Sequence, residues 1–198
     1  MNGPHPLPVR IGKGVTTWIW LAIVLGILLF WIAEPSAFAP ERLEATFRAL
    51  GPWAFTGFVI VSLVRGALLI PSTPVVLAGG ALFPDRLPLV LLVSMIGIVV
   101  SAALLHRFPG FAGYDQKLAA KYPEQLARLQ VHLQKPRAVA FVIAWAFFPA
   151  VPTDLICYAA GLVRMPLGRL LTGIVIGELP LVTAYILAGR HVAGLLTT

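Results

Sequence analysis

The sequence predicts an all-α integral membrane protein, with transmembrane helices and two oppositely oriented re-entrant hairpins that form an inverted repeat. Composition is the first observation, since 59% of the 198 residues are apolar and only 12% are charged. Soluble domains average about 45–50% apolar and about 25% charged residues. The mean hydropathy of +0.89 agrees. The other two observations are long apolar stretches and a pair of prolines inside two of them.

Five apolar stretches define the elements of a single domain. They are residues 15–33, 52–83, 87–105, 138–163 and 167–187. We predict a cytoplasmic N-terminal segment at 1–14 and one membrane domain over 15–198. The predicted elements of that domain are a first span 15–33, a hairpin 52–84, a span 87–107, a cytoplasmic interfacial helix 113–136, a hairpin 137–163 and a span 167–190.

The first stretch has two interpretations. Arg10 and Lys13 precede it, and Ala37-Phe38-Ala39 has the small-x-small form of a secretory cleavage site, so a removable signal peptide is one alternative. However, its apolar core is about 19 residues long, which is longer than an ordinary signal core and long enough to cross a bilayer. We expect a retained first span.

The second and fourth stretches are each broken by two prolines three residues apart. As one straight helix the second would be roughly 48 Å long, against a hydrocarbon core of about 30 Å. Ile70-Pro71-Ser72-Thr73-Pro74 interrupts it, and Phe148-Pro149-Ala150-Val151-Pro152-Thr153 interrupts the fourth. Proline removes a backbone donor, and backbone groups freed at membrane depth must be buried in protein or line a wet cavity. This pattern predicts hairpins, with kinked buried helices as the alternative.

The basic residues favour this topology. If both long stretches return to their side of entry, ten Lys and Arg residues fall on one side and four on the other, with Arg65 left in the membrane. That bias predicts a cytoplasmic N-terminus under the positive-inside rule. The first hairpin then enters from outside and the second from the cytoplasm. Each is followed by a span, and discontinuous helices in inverted repeats are typical of transport pathways.

Three ionisable residues, Arg65, Asp154 and Glu178, lie inside apolar stretches. Each costs about 2.5–3.5 kcal/mol at a helix centre on insertion scales, so they mark a candidate functional site. Arginine can offer a forked donor to a phosphate, and the alternative is that Arg65 simply neutralises one of the two carboxylates. The hydroxyls at the breaks could contact a headgroup, although satisfying the freed backbone is the favoured role. The candidate transport residues are Arg65, Pro71, Ser72, Thr73, Pro74, Gly80, Pro149, Pro152, Thr153, Asp154, Gly161 and Glu178.

The sequence gives little support for a metal site, a cofactor site, an enzyme active site or a nucleic-acid interface. The four histidines are dispersed and Cys157 is the only cysteine, so no metal site and no cofactor are expected. No phosphate loop or nucleophile elbow occurs, which argues against an enzyme. The net charge of +7 is spread beside apolar runs, which favours anionic lipids over nucleic acid as the partner. Segment 113–136 has leucines at helical spacing, as in an interfacial helix or a connector covering the hairpin.

Two motifs resemble a known family. The segment 65–83, which contains Arg65-Gly66-Ala67 and Pro71-Ser72-Thr73-Pro74, and the segment 148–162, together with Gly177-Glu178-Leu179-Pro180, resemble the DedA superfamily in its SNARE-associated Golgi protein or VTT-domain (Tvp-like) branch. The resemblance covers about residues 52–189. It implies two facing re-entrant hairpins and movement of lipids between leaflets. Eukaryotic members scramble phospholipids, and bacterial members recycle undecaprenyl phosphate with coupling to protons or sodium.

The sequence departs from that pattern at the second break. Where many members have an arginine three residues before the first proline, this chain has Ala146, and Pro152 replaces another arginine. The acidic residue of the first hairpin is also missing. We hypothesise that Arg65 supplies the missing charge from the other hairpin.

The resulting expectation is a multi-pass protein of the bacterial inner membrane. It would act as a flippase or scramblase for a phosphate-bearing lipid such as undecaprenyl phosphate or a phospholipid. A small-solute or ion transporter and a non-transporting assembly factor are the two alternatives. Proton or sodium coupling and a homo-oligomeric state are left open.

Overall fold

The computed structural model describes residues 22, 25, 26, 29, 33, 34, 40–68, 70–133, 135–149 and 151–196. The helices bounded within these ranges are α1 (Pro40–Ala49), α2 (Ala54–Val64), α3 (Ser72–Leu82), α4 (Leu87–Ala112), α5 (Tyr114–Lys121), α6 (Pro123–Leu133), α7 (Pro136–Phe147), α8 (Thr153–Leu162) and α9 (Leu167–Leu196). The described part of the chain is helical and contains no strand. The predicted segment 1–14 and most of the predicted first span 15–33 lie outside it.

The second apolar stretch is two helices, α2 and α3, separated at the predicted proline segment. A 3₁₀ turn, Arg65–Leu68, follows α2. Pro71 has the extended angles φ −56° and ψ 141° and caps the start of α3. Pro74 lies in the first turn of α3, where its missing N–H has no intrahelical acceptor to lose. The helix therefore ends and restarts where the prolines require it.

The fourth stretch breaks in the same way. Helix α7 ends at Phe147, and the next residue, Phe148, has extended angles of φ −86° and ψ 114°. Pro152, also extended at φ −62° and ψ 118°, caps the start of α8. Both breaks are thus extended segments between short apolar helices of 10 to 12 residues.

Two described helices are long and apolar enough to cross a membrane, over Pro84–Ala112 and Leu167–His191. A third span is counted if the pair Arg42–Ala49 and Gly51–Val64, bent by 119°, crosses as one unit. The bent pair begins ten residues before the predicted hairpin 52–84. Helices α4 and α9 extend past the predicted ends at 107 and 190.

The helices pack reciprocally across the two halves of the chain. Helix α3 packs against α9, and α8 packs against α4, so each second arm contacts the long helix of the other half. Helix α2 packs on α4 and α7 packs on α9, while the two long helices also contact each other. One hydrophobic core therefore runs through both halves, with Phe58, Leu170 and Ile174 fully buried in it.

The predicted interfacial helix 113–136 is two helices, α5 and α6. Gly113 has φ +76° and ends α4, and Pro123 starts α6 because proline cannot continue α5. Within α6, Leu126 is buried while Leu129 is exposed. Side chains of this region hold the turn between α8 and α9: Gln130 donates to the Val163 carbonyl at 3.4 Å. The segment thus covers the end of the second broken stretch.

Candidate functional site

The first break places a buried arginine at the end of helix α2. The Arg65 side chain is only 5% exposed. Its Nη1 donates to the Ile70 carbonyl at 3.4 Å, and the Ile70 N–H donates to the Arg65 carbonyl at 2.9 Å. Arg65 therefore helps to satisfy the backbone groups that the proline break frees, as membrane burial requires. This is its single side-chain hydrogen bond within the described residues, so most of the guanidinium donors remain available.

The second break places two polar side chains at the start of helix α8. The Thr153 hydroxyl donates to Oε1 of Glu178 in α9. The favoured expectation for Thr153 was a bond to the freed backbone, and the structure instead gives its hydroxyl a carboxylate partner. Asp154 follows it and is partly buried, while Glu178 is 4% exposed. The carbonyl of Pro152, at the same break, accepts a hydrogen bond from Trp145 Nε1 at 3.4 Å.

These groups form one electrostatic cluster. The charges of Asp154 and Glu178 both act on Arg65, and the two carboxylates act on each other. Neither carboxylate lies within salt-bridge distance of Arg65, because the ion pairs of the described residues are Arg48 with Glu44 and Arg164 with Asp115. The alternative in which Arg65 simply pairs with a carboxylate is therefore not the arrangement present. The two carboxylates act on the charge of Arg65 without forming a salt bridge with it.

Ala146 explains one departure from the family pattern. Its side chain is 1% exposed. A Cβ built on Gly177 of α9 would lie 2.7 Å from the Ala146 Cβ, so the two small residues let α7 and α9 approach closely. An arginine cannot occupy this position without separating those helices. Ala146 precedes Pro152 by six residues, as Arg65 precedes Pro71. Of these two equivalent positions, only the one at the first break carries a charge.

The other predicted site residues divide into two groups. Pro71, Pro149 and Pro152 are exposed at the breaks, while Ser72, Thr73 and Pro74 are partly buried in the first turn of α3. Gly80 and Gly161 are not at the charged cluster. A Cβ on Gly80 would lie 2.3 Å from the Ile186 carbonyl oxygen, and one on Gly161 would lie 2.0 Å from that of His106. These two glycines are helix-packing positions, one in each half.

Sequence reasoning missed three buried serines between α2 and α4. Ser62, Ser94 and Ser101 are each no more than 3% exposed. Ser101 donates to the Gly97 carbonyl at 2.7 Å, whereas the hydroxyls of Ser62 and Ser94 have no partner among the described residues. Ser94 and Ser101 are seven residues apart, which places them on one helix face. That spacing, inside an apolar span, was the available signal.

Together these residues make a polar patch within apolar helices. It combines a permanent cation whose donors are mostly without a partner among the described residues, two acidic groups and neighbouring hydroxyls. This is the chemistry needed to bind an anion and to balance the charge of Arg65 when the anion leaves. In the described residues, groups of three or more His, Cys, Asp or Glu that could hold a metal are absent. The arrangement is suited to phosphate or carboxylate binding.

The VTT domain model matches residues 70–191, which is more than half of the 198 residues. The match contains Thr153, Asp154 and Glu178 and begins five residues after Arg65, later than the expected start near residue 52. No curated protein and no solved structure matches the chain. The chain therefore belongs to the VTT-domain family of membrane proteins, that of the DedA and SNARE-associated Golgi proteins.

Proposed function

We propose that this protein moves a phosphate-bearing lipid between the leaflets of a membrane, as a flippase or scramblase, and that the lipid headgroup passes the cluster of Arg65, Asp154 and Glu178. The observation that carries the proposal is that Arg65 is buried with few hydrogen-bond acceptors among the described residues. A buried guanidinium normally has a full set of partners. Among the described residues it has one long hydrogen bond, and two carboxylates act on it from beyond contact distance. A headgroup phosphate would supply the missing acceptor.

The contacts support re-entrant hairpins. The two ends of the first broken stretch lie together, since the rings of Phe55 and Phe83 are 5.2 Å apart. The helices that flank the second broken stretch are also close, since Arg169 Nη1 donates to the Leu133 carbonyl at 3.4 Å. A chain that leaves and returns at the same end is a hairpin. In such hairpins the two breaks would lie at the far ends, where Arg65 and Glu178 are buried.

The position of the two ends along α4 supports opposite orientations. Helix α4 has 26 residues, which corresponds to about 39 Å. The ends of the first hairpin adjoin its N-terminus through Pro84–Arg86. The turn after the second hairpin adjoins its C-terminal half, where His106 Nε2 donates to the Met165 carbonyl at 2.7 Å. These positions support hairpins that enter from opposite ends, as an inverted repeat requires, and the charge of Arg65 acts on Asp154 between the two breaks.

The chemistry of the cluster favours a lipid with a phosphate. Arginine binds phosphate oxygens through parallel N–H bonds. The carboxylates would restore the charge balance of Arg65 once the headgroup leaves, and they are the groups through which a proton or sodium ion would couple to movement. Undecaprenyl phosphate and phospholipids both carry the required group. The basic bias of the chain supports a cytoplasmic N-terminus, and we propose that the activity takes place in a bacterial inner membrane.

The test is reconstitution of the purified chain into liposomes that contain a fluorescent phospholipid and a labelled polyprenyl phosphate. A quencher added outside the liposomes reduces the fluorescence of labelled lipids only after they move from the inner to the outer leaflet. The decrease in fluorescence therefore measures lipid movement. Lipid movement above that of empty liposomes supports the proposal. Solute or ion flux without lipid movement would instead indicate a small-solute transporter, and neither signal would indicate an assembly factor; both outcomes contradict the proposal.

A further inference from the structure

A second candidate site lies at the end of the helices away from the charged cluster. An open cavity of about 290 Å³ lies between the start of α2 and the turn that joins α3 to α4. Its lining residues are Gly51, Pro52, Ala54, Phe55, Leu82, Phe83, Pro84, Asp85 and Arg86. This volume is near the lower limit of about 300 Å³ for small-molecule sites. The cavity is therefore large enough for a small polar group.

The cavity carries one charge of each sign. Asp85 and Arg86 are exposed, and neither takes part in an ion pair among the described residues. The Arg86 guanidinium carbon lies 5.8 Å from the centroid of the Phe55 ring, which holds the cation at the cavity wall. An unpaired cation and an unpaired anion side by side complement a ligand that itself carries both charges. The remaining wall is aromatic and aliphatic.

The surface beyond the cavity suits acyl chains. Along α4, Leu89, Leu92 and Ile96 are all exposed. They are three and four residues apart, so they form one row on the helix surface that begins at the cavity. In a membrane this row would face lipid. A ligand whose polar group enters the cavity can therefore lay an apolar tail along α4.

The distance between the cavity and Arg65 matches the distance from a membrane surface to the midplane. Phe55 and Arg65 are ten residues apart along α2 and its 3₁₀ extension, which corresponds to at least about 15 Å. That is half of a hydrocarbon core of about 30 Å. Buried Ser62 lies between them, on the α2 side that contacts Gly97 of α4. The cavity thus lies at one membrane surface when Arg65 is near the midplane.

From these features we propose that the cavity is a docking site for a zwitterionic lipid headgroup, a phosphodiester that carries an ammonium group. Arg86 binds the phosphate and Asp85 binds the ammonium. This docking site rests on the proposed lipid transport, because the headgroup would bind in the cavity before or after it passes Arg65. Under the expected topology this surface faces outward.

The test measures binding without translocation. The full-length chain in detergent is titrated with phosphatidylethanolamine or with phosphatidylglycerol, which has the phosphate but not the ammonium, and bound lipid is counted by native mass spectrometry. We expect the native chain to prefer phosphatidylethanolamine. Asp85→Asn should reduce phosphatidylethanolamine binding about tenfold and leave phosphatidylglycerol binding unchanged. Arg86→Gln should weaken both lipids, and Arg86→Lys should restore part of the affinity.

Arg42→Gln is the matched control, since Arg42 is an exposed arginine outside the cavity lining. Native-like binding of both lipids by the Asp85 and Arg86 variants would overturn the docking site. Competition by soluble glycerophosphoethanolamine as strong as that by the lipid would overturn the contact of the acyl tail with α4, because the tail would then contribute nothing. Liposome transport by the native chain together with unchanged binding in the variants would reject the cavity alone, whereas selective binding without transport would reject the proposed function alone.

Discussion

Gly161→Ala should destabilise the protein because it forces apart two helices of different halves. The added Cβ would lie 2.0 Å from the His106 carbonyl oxygen, 2.7 Å from its carbon and 2.9 Å from the Cα. All three atoms are backbone, so no side chain can rotate away. Ordinary contact at 3.4 Å requires α8 and α4 to separate by about 1.4 Å. Overpacking of this kind costs about 1–3 kcal/mol.

The separation also strains the hydrogen bond between His106 Nε2 and the Met165 carbonyl, now 2.7 Å long. Thermal unfolding of the purified protein in detergent should show a midpoint lowered by roughly 2–12 °C for a chain of this size. The matched control is Gly168→Ala in α9, where an added Cβ meets nothing within 4 Å. That variant should be as stable as the native chain or up to about 1 kcal/mol more stable. Equal midpoints for the two variants would refute the close approach of α8 to α4.

Three further substitutions test other contacts by the same unfolding measurement. Thr153→Val removes the donor to Glu178 and should cost about 1–3 kcal/mol, whereas Thr153→Ser should stay near native; equal losses would contradict the bond. Ser62→Ala should leave stability unchanged or raise it by about 1 kcal/mol, since the buried hydroxyl has no described partner, and a clear loss would reveal one. Arg164 has φ +59°, so Arg164→Gly should be about 1 kcal/mol more stable than Arg164→Ala; the reverse order would refute the left-handed backbone there.

The broken helices and the charged residues were predictable because each depends on local chemistry. Proline lacks a donor wherever it occurs, so Pro71 and Pro152 mark the helix ends without knowledge of the fold. A charge in an apolar stretch is costly regardless of its neighbours, so the sequence alone marks Arg65, Asp154 and Glu178 as candidate site residues, and in the structure their charges act on one another.

The remaining features depend on partners distant in the chain. Asp115 and Arg164 are 49 residues apart, yet Arg164 Nε donates to Asp115 Oδ2 at 3.0 Å. The bond from Thr153 to Glu178 spans 25 residues. Serines such as Ser62 are common in exposed loops and in helices alike, so their burial follows only from the packing of α2 on α4. Sequence patterns within one segment cannot supply these contacts.

The most direct test of the account is the rate of lipid translocation in proteoliposomes for the native chain, Arg65→Ala and Asp154→Asn. Arg42→Ala, an exposed arginine outside the cluster, is the control, and equal reconstitution is verified by recovery of folded protein. Loss of a charge-assisted hydrogen bond worth about 1.5–3 kcal/mol predicts a rate about 10- to 150-fold lower for Arg65→Ala, with Arg42→Ala unchanged. Asp154→Asn should also slow movement. Native rates in both cluster variants would contradict a route between the hairpins.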